Sequence, residues 1–154
     1  MSGYTWNADE FARLLIERSY PEKTDHESAL LRDYLREHLT EFDRVDFSVR
    51  VGASVTPDPS HLEGVQRQAI LNSMKRIDMV GYFGQSVTLV EAKTLISYQV
   101  MGQLLFNRRL WMQQFPNGQE PRLVAIGRRG TEQDVAVLTD HGIDVYLYET
   151  TPAE

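Results

Sequence analysis

A chain of 154 residues holds one domain with a full core, single from residue 1 to 154, and leaves no room for two comfortable ones. With 42% hydrophobic and 25% charged residues its composition is globular; no apolar run reaches bilayer length and no basic-then-apolar signal opens it, so no membrane role is expected. The lack of cysteine excludes disulfides and thiolate metal sites and fits a cytoplasmic protein, and a net charge of −6 argues against holding nucleic acid by overall electrostatics alone.

Asn7-Ala8-Asp9-Glu10 reads as a helix start, with Phe11, Leu14, Leu15 and Arg18 at helical spacing and Pro21 as the stop, so residues 1–22 form an N-terminal helical extension. Thr24-Asp25-His26-Glu27 is a second capping box, followed by a helix to about Leu39 with Leu30, Leu31, Tyr34 and Leu35 on its apolar face. Two readings of Glu27 stand at this point: it caps its own helix, or it points from the helix start into a site. Arg44 to Val51 alternates apolar and polar residues and predicts a strand, and Gly52 to Ser60, with Pro57 and Pro59, predicts a loop. Leu62 to Met74 suits either a helix or an extended run. His61, a lone histidine, is expected at the surface.

Arg76 to Phe83 and Val87 to Lys93 are strand-like runs joined by Gly84-Gln85, which suits a tight hairpin turn. A helix follows from about Ser97 to Gln113, with Val100, Met101, Leu104, Leu105 and Trp111 facing the core and Gln99 and Gln103 one turn apart. Pro121 to Gly127 is a short buried-type strand. Thr131 to Asp134 caps a further helix that Gly142 ends, and Ile143 to Tyr148 makes a last strand before a polar tail from Thr150. Antiparallel hairpins early and a βαβ-like unit late imply an α/β fold with a mixed central sheet flanked by helices, its core spanning residues 24–149.

The most informative stretch is Val87-Thr88-Leu89-Val90-Glu91-Ala92-Lys93. On a strand, Glu91 and Lys93 share one face while Val90 and Ala92 share the other. The hairpin brings Asp78 across from them. A charged pair ending a buried-type strand is costly without a partner or a task. Two carboxylates suit a hard divalent cation, Mg²⁺ or Mn²⁺, and an amine beside them suits a water or a phosphate.

Arg76-Ile77-Asp78, then Val90-Glu91-Ala92-Lys93, then Gly102-Gln103-Leu104-Leu105 resembles the PD-(D/E)XK, restriction-endonuclease-like nuclease superfamily, and most of all its Holliday junction resolvase and RecB-like branch. The resemblance covers roughly Glu27 to Glu149, and the order of elements agrees with that group's αβββαβ core in a three-layer α/β/α fold. It implies a Mg²⁺- or Mn²⁺-dependent nuclease, an endonuclease by preference, acting on DNA. Asp78 and Glu91 would bind the metal with the Ala92 backbone carbonyl, Lys93 would be the catalytic lysine, Gln103 the helix-borne glutamine and Glu27 the first-helix acid. The alternative within the same fold is a catalytically silent subunit that binds nucleic acid or serves an assembly.

Asn107 stands where many members of that branch carry an aromatic residue, four positions after the glutamine, and Gln99 is a second candidate for the glutamine role. Lys75, Arg76, Arg108, Arg128 and Arg129 are candidates to meet phosphates, Arg128-Arg129 being the pair singled out. So small a catalytic unit is expected to work as a homodimer or within a DNA-processing complex.

Overall fold

The apolar runs become strands of a six-stranded sheet sandwiched between helices. A computed structural model describes residues 4–52, 56 and 58–149, the side chains of 70–73 excepted; residues 53–55 and 57 of the expected 52–60 loop, and the tail from Thr150, lie outside them. In chain order the strands of the main sheet are β1 (Thr5–Asn7), β2 (Arg44–Val51), β3 (Lys75–Phe83), β4 (Ser86–Ala92), β6 (Arg122–Gly127) and β8 (Ile143–Leu147). Between them run helices α1 (Phe11–Leu14), α2 (Asp25–His38), α3 (Glu63–Ser73), α4 (Tyr98–Gln114) and α5 (Glu132–Asp140), and β5 (Leu95–Ile96) pairs with β7 (Arg129–Gly130) in a small parallel sheet.

The main sheet has the order β1-β2-β3-β4-β6-β8. Its first four strands are antiparallel, and β6 and β8 join parallel to β4. The α/β class with a mixed sheet and the α2-β2-β3-β4-α4-β6 order agree with the expectation from sequence. β4 lies in the middle, which is why it reads as a nearly continuous apolar run. One face carries Leu30, Leu31, Tyr34 and Leu35 of α2 against Val45, Phe47, Met79, Val90 and Ala92. The other carries Val100, Leu104 and Trp111 of α4 and Leu138 of α5 against Ile77, Val80, Leu89, Leu123 and Ile143.

The N-terminal extension differs from the expected helix. Thr5–Asn7 pairs along β2, Asn7 caps a 3-10 turn, and α1 covers four residues. The helical spacing up to Arg18 yields to tertiary packing, because the chain turns after Leu14 so that Tyr20 can stack on Phe47 with ring centroids 4.3 Å apart. The ambiguous 62–74 segment is helix α3, whose Leu62 and Val65 flank stays exposed. Thr24 and Glu27 form the expected capping box on α2, and Thr131 caps α5 through the Asp134 N–H. The β3–β4 hairpin closes through Gly84-Gln85, with Gly84 at φ 58°, a conformation glycine adopts without strain.

Candidate active site

The β3–β4 ladder ends at Met79 and Val90, whereas β4 stays paired with β6 as far as Ala92 and Ile126. Glu91 and Ala92 therefore emerge on the β3 side with no backbone partner. Asp78, one step past the last rung, fills the opening: its Oδ2 accepts the Ala92 N–H at 2.8 Å. On the β2 side, Ser48 faces Asp78 in the register without pairing to it and sits at φ 55°, a left-handed conformation costing about 1–2 kcal/mol in a non-glycine residue. That residue reverses the alternation of β2, so Phe47 packs on the α2 face while Val49 and Val51 pack on the α4 face. Neither neighbouring strand pairs with Asp78, so its carboxylate takes the Ala92 N–H that a regular rung would give to backbone.

A polar cleft of about 400 Å³ opens over this break, lined by Glu27, Arg50, Met74, Arg76, Asp78, Glu91, Lys93 and Gln103. All five residues named from sequence as catalytic candidates border it. Gln103, not Gln99, is the glutamine that lines it. Glu27 exchanges 3.1 Å hydrogen bonds with Thr24 as the helix cap and also borders the cleft. Val90 and Ala92 are buried on the α2 face, as the strand alternation requires. Lys93, just past β4, is exposed, and among the described residues its amine makes no ion pair. Gly127 allows that exit: a Cβ there would come within 2.7 Å of the Lys93 carbonyl oxygen.

Asp78 and Glu91 are buried, 6% and 3% exposed, and lie close enough to share a hydrogen bond. Burial and the charge of Asp78 push the Glu91 carboxyl well above the ordinary glutamate range, against the opposing pull of Lys23 and Lys93. Burial would also raise Asp78, but the Glu91 hydrogen bond, the Lys23 charge and the Ala92 N–H together hold it below the usual aspartate range. Their surroundings thus push the two in opposite directions, Asp78 toward its charged form and Glu91 toward its neutral one. Asn107 of α4 donates to Glu91 Oε1 at 2.9 Å.

Sequence reasoning missed Lys23. Its side chain has no exposed surface, and its Nζ lies 2.5 Å from Asp78 Oδ1. A lysine just before a capping box gives no sign of a partner 55 residues away. Arg50 and Met74 were likewise unflagged as cleft residues.

The basic candidates divide. Arg76 lines the cleft and pairs with Glu22 at 3.2 Å, and Lys75 places its amine 5.6 Å from the Phe106 ring centroid in the adjoining wall. Arg129 is exposed in β7. Arg108 pairs with Glu120 at 3.3 Å. Arg128 donates through NH1 to Asp33 at 2.7 Å and to the Tyr148 carbonyl at 2.9 Å, which ties α2 to the end of β8.

The donor chemistry suits Mg²⁺ or Mn²⁺, which take one or two carboxylates and complete their shell with water. At this cleft the two carboxyls within reach of each other are Asp78 and Glu91. Among the described residues no group of three or more His, Cys, Asp and Glu is gathered for a metal, so any such ion would rest on this pair.

No family model matches the chain, and no curated protein matches it. Among solved structures it is similar to a repair endonuclease from Pyrococcus abyssi, with 15% identity and a TM-score of 0.49 over 86% of this chain and 50% of that one. It is also similar to a structure of an EndoMS-dsDNA2 complex, with 10% identity and a TM-score of 0.45 over 89% of this chain and 50% of that one. The chain spans about half the length of each.

Proposed function

We propose that this protein is a metal-dependent nuclease of the PD-(D/E)XK type that hydrolyses phosphodiester bonds in DNA, an endonuclease by preference. The observation that carries the reading is the convergence of Glu27, Asp78, Glu91, Lys93 and Gln103 on one polar cleft. Residues dispersed over four elements border one space, in the arrangement the motif resemblance implies.

In this reading Asp78 and Glu91, with the Ala92 carbonyl, hold Mg²⁺ or Mn²⁺. A hard divalent ion there supplies Lewis acidity toward the phosphate and offsets its developing charge. The exposed amine of Lys93 orients the attacking water and stabilises the charge that builds on the phosphoryl oxygens as the new P–O bond forms and the leaving P–O bond breaks. Gln103 and Glu27 position water and phosphate at the cleft rim. Arg76 and Lys75 supply the local positive charge that an acidic chain lacks overall. A second copy of the chain, or another subunit, supplies the grip on both strands.

The test is incubation with supercoiled, linear and branched DNA, with and without Mg²⁺ or Mn²⁺. Metal-dependent cleavage that Lys93→Ala abolishes is expected, and intact DNA throughout sinks the reading.

A second reading, a catalytically silent subunit of the same fold, draws on the engagement of both Asp78 oxygens by Lys23 and Ala92. Titration calorimetry with Mn²⁺ separates the two, since the silent subunit takes up no metal.

A further inference from the structure

The chain contains three lysines, Lys23, Lys75 and Lys93. All of them lie at the cleft: Lys93 in its lining, Lys75 in the adjoining wall and Lys23 against Asp78. Of these, Lys23 alone is buried, and it reaches a carboxylate that the proposed function assigns to a divalent ion.

Its approach is built into the strap from Pro21 to Lys23. Glu22 is left-handed, with φ 59°. Its carboxylate is gripped by Arg50 at 2.7 and 3.1 Å and by Arg76 at 3.2 Å. Ser48, the left-handed residue opposite Asp78, donates its hydroxyl to the Pro21 carbonyl at 2.6 Å. Two non-glycine residues held in an unfavourable conformation, both bearing on one short strap, indicate that the amine is placed rather than left over.

We propose that Lys23 is the resident counter-ion of the site. Its amine steadies Asp78 while the site is metal-free, and it must leave Oδ1 before a divalent ion can bind there, so Lys23 sets the metal affinity. The inference rests on the assignment of Asp78 as a metal ligand. An ammonium and a divalent cation on one carboxylate oxygen repel each other at close range in a poorly solvated place, where that repulsion is strongest. With no ion bound, the amine offsets the charge that burial would otherwise leave uncompensated on Asp78. Glu22, next to Lys23 in the strap, is held by ion pairs to Arg50 and Arg76, which themselves border the cleft.

Titration calorimetry of the full chain with Mn²⁺ tests this on the wild type, Lys23→Met and Lys23→Gln. Removal of the competing amine is expected to tighten binding roughly tenfold or more. Uptake by the variants with none by the wild type supports the counter-ion role of Lys23 and overturns the metal-dependent reading of the wild type in favour of the silent subunit. Equal or weaker binding by the variants, with the wild type binding, overturns the inference and leaves the metal assignment standing. No uptake by any of the three overturns both.

A measurement on the wild type alone covers the case in which the variants do not fold. Lys23 is expected to resist an amine-reactive label in metal-free protein and to become labelled at saturating Mn²⁺, read by mass spectrometry. Exposed Lys75 and Lys93 serve as internal references. Protection of Lys23 that persists with Mn²⁺ bound overturns the proposal.

Discussion

Asn107 donates its side-chain N–H to Glu91 Oε1 at 2.9 Å, linking the middle of α4 to the end of β4 among residues 5% and 3% exposed. A helix position expected by resemblance to carry an aromatic ring carries instead a donor for a buried carboxyl. Asn107→Leu leaves that oxygen without its partner and is expected to cost about 1–3 kcal/mol in urea unfolding. An unchanged midpoint and slope would show that water replaces the amide.

Burial and the charge of Asp78 push the Glu91 carboxyl toward its neutral form. Glu91→Gln, neutral and of the same shape, is therefore expected to stay within about 1 kcal/mol of wild-type stability at pH 7 while losing Mn²⁺ binding. A stability loss of several times that size would mean that Glu91 is ionised in the folded protein.

Asp78 and Lys23 form a buried ion pair, and removing one member strands the other. Asp78→Ala is expected to destabilise by about 3–5 kcal/mol, and combining it with Lys23→Met to recover most of the loss. Chemical denaturation of the two single variants and the double variant gives the coupling; simple additivity would deny that the pair acts as a unit.

Lys93 is different in kind, since it is exposed and bonded to nothing at its amine among the described residues. Lys93→Ala should change stability by less than about 0.5 kcal/mol and lower cleavage by about 100-fold or more. Loss of folding in this variant would remove the support for a chemical role.

Burial pushes both Tyr20 and Tyr82 from 10.0 up to about 12. Between those values the unfolded chain sheds phenol protons that the folded chain keeps, so the unfolded state binds fewer protons and stability falls as pH rises. Below pH 10 this contribution is fully present. Denaturant unfolding followed from pH 9 to 12 should show a steady decline beginning near 10; a flat profile contradicts the burial of these rings.

Much of the frame was legible because local signals agreed with global ones. Thr24 with Glu27, and Thr131 with Asp134, mark helix starts that packing leaves in place, and Gly84-Gln85 sets a hairpin register that brings Asp78 to Glu91. Reading failed where a distant contact outweighed a local pattern. The helical spacing after Asn7 gives way to Thr5–Asn7 pairing on β2 and to the Tyr20–Phe47 stack. Arg128 looked like a surface cation beside Arg129, yet its partner Asp33 lies 95 residues earlier in the chain. Lys23 and Ser48 are ordinary polar residues in one dimension, and only the fold sets one against Asp78 and the other opposite it.

The left-handed turn at Ser48 lets a single strand serve two cores, since Phe47 belongs to one and Val51 to the other. It follows that the cleft is not a portable graft. Transplanting Asp78, Glu91 and Lys93 onto a regular sheet of equal size would leave Asp78 bonded into its ladder, with its carboxylate denied the Ala92 N–H and the amine of Lys23. A designer who wants this chemistry elsewhere must import the misfit between β2 and β3 along with the three side chains.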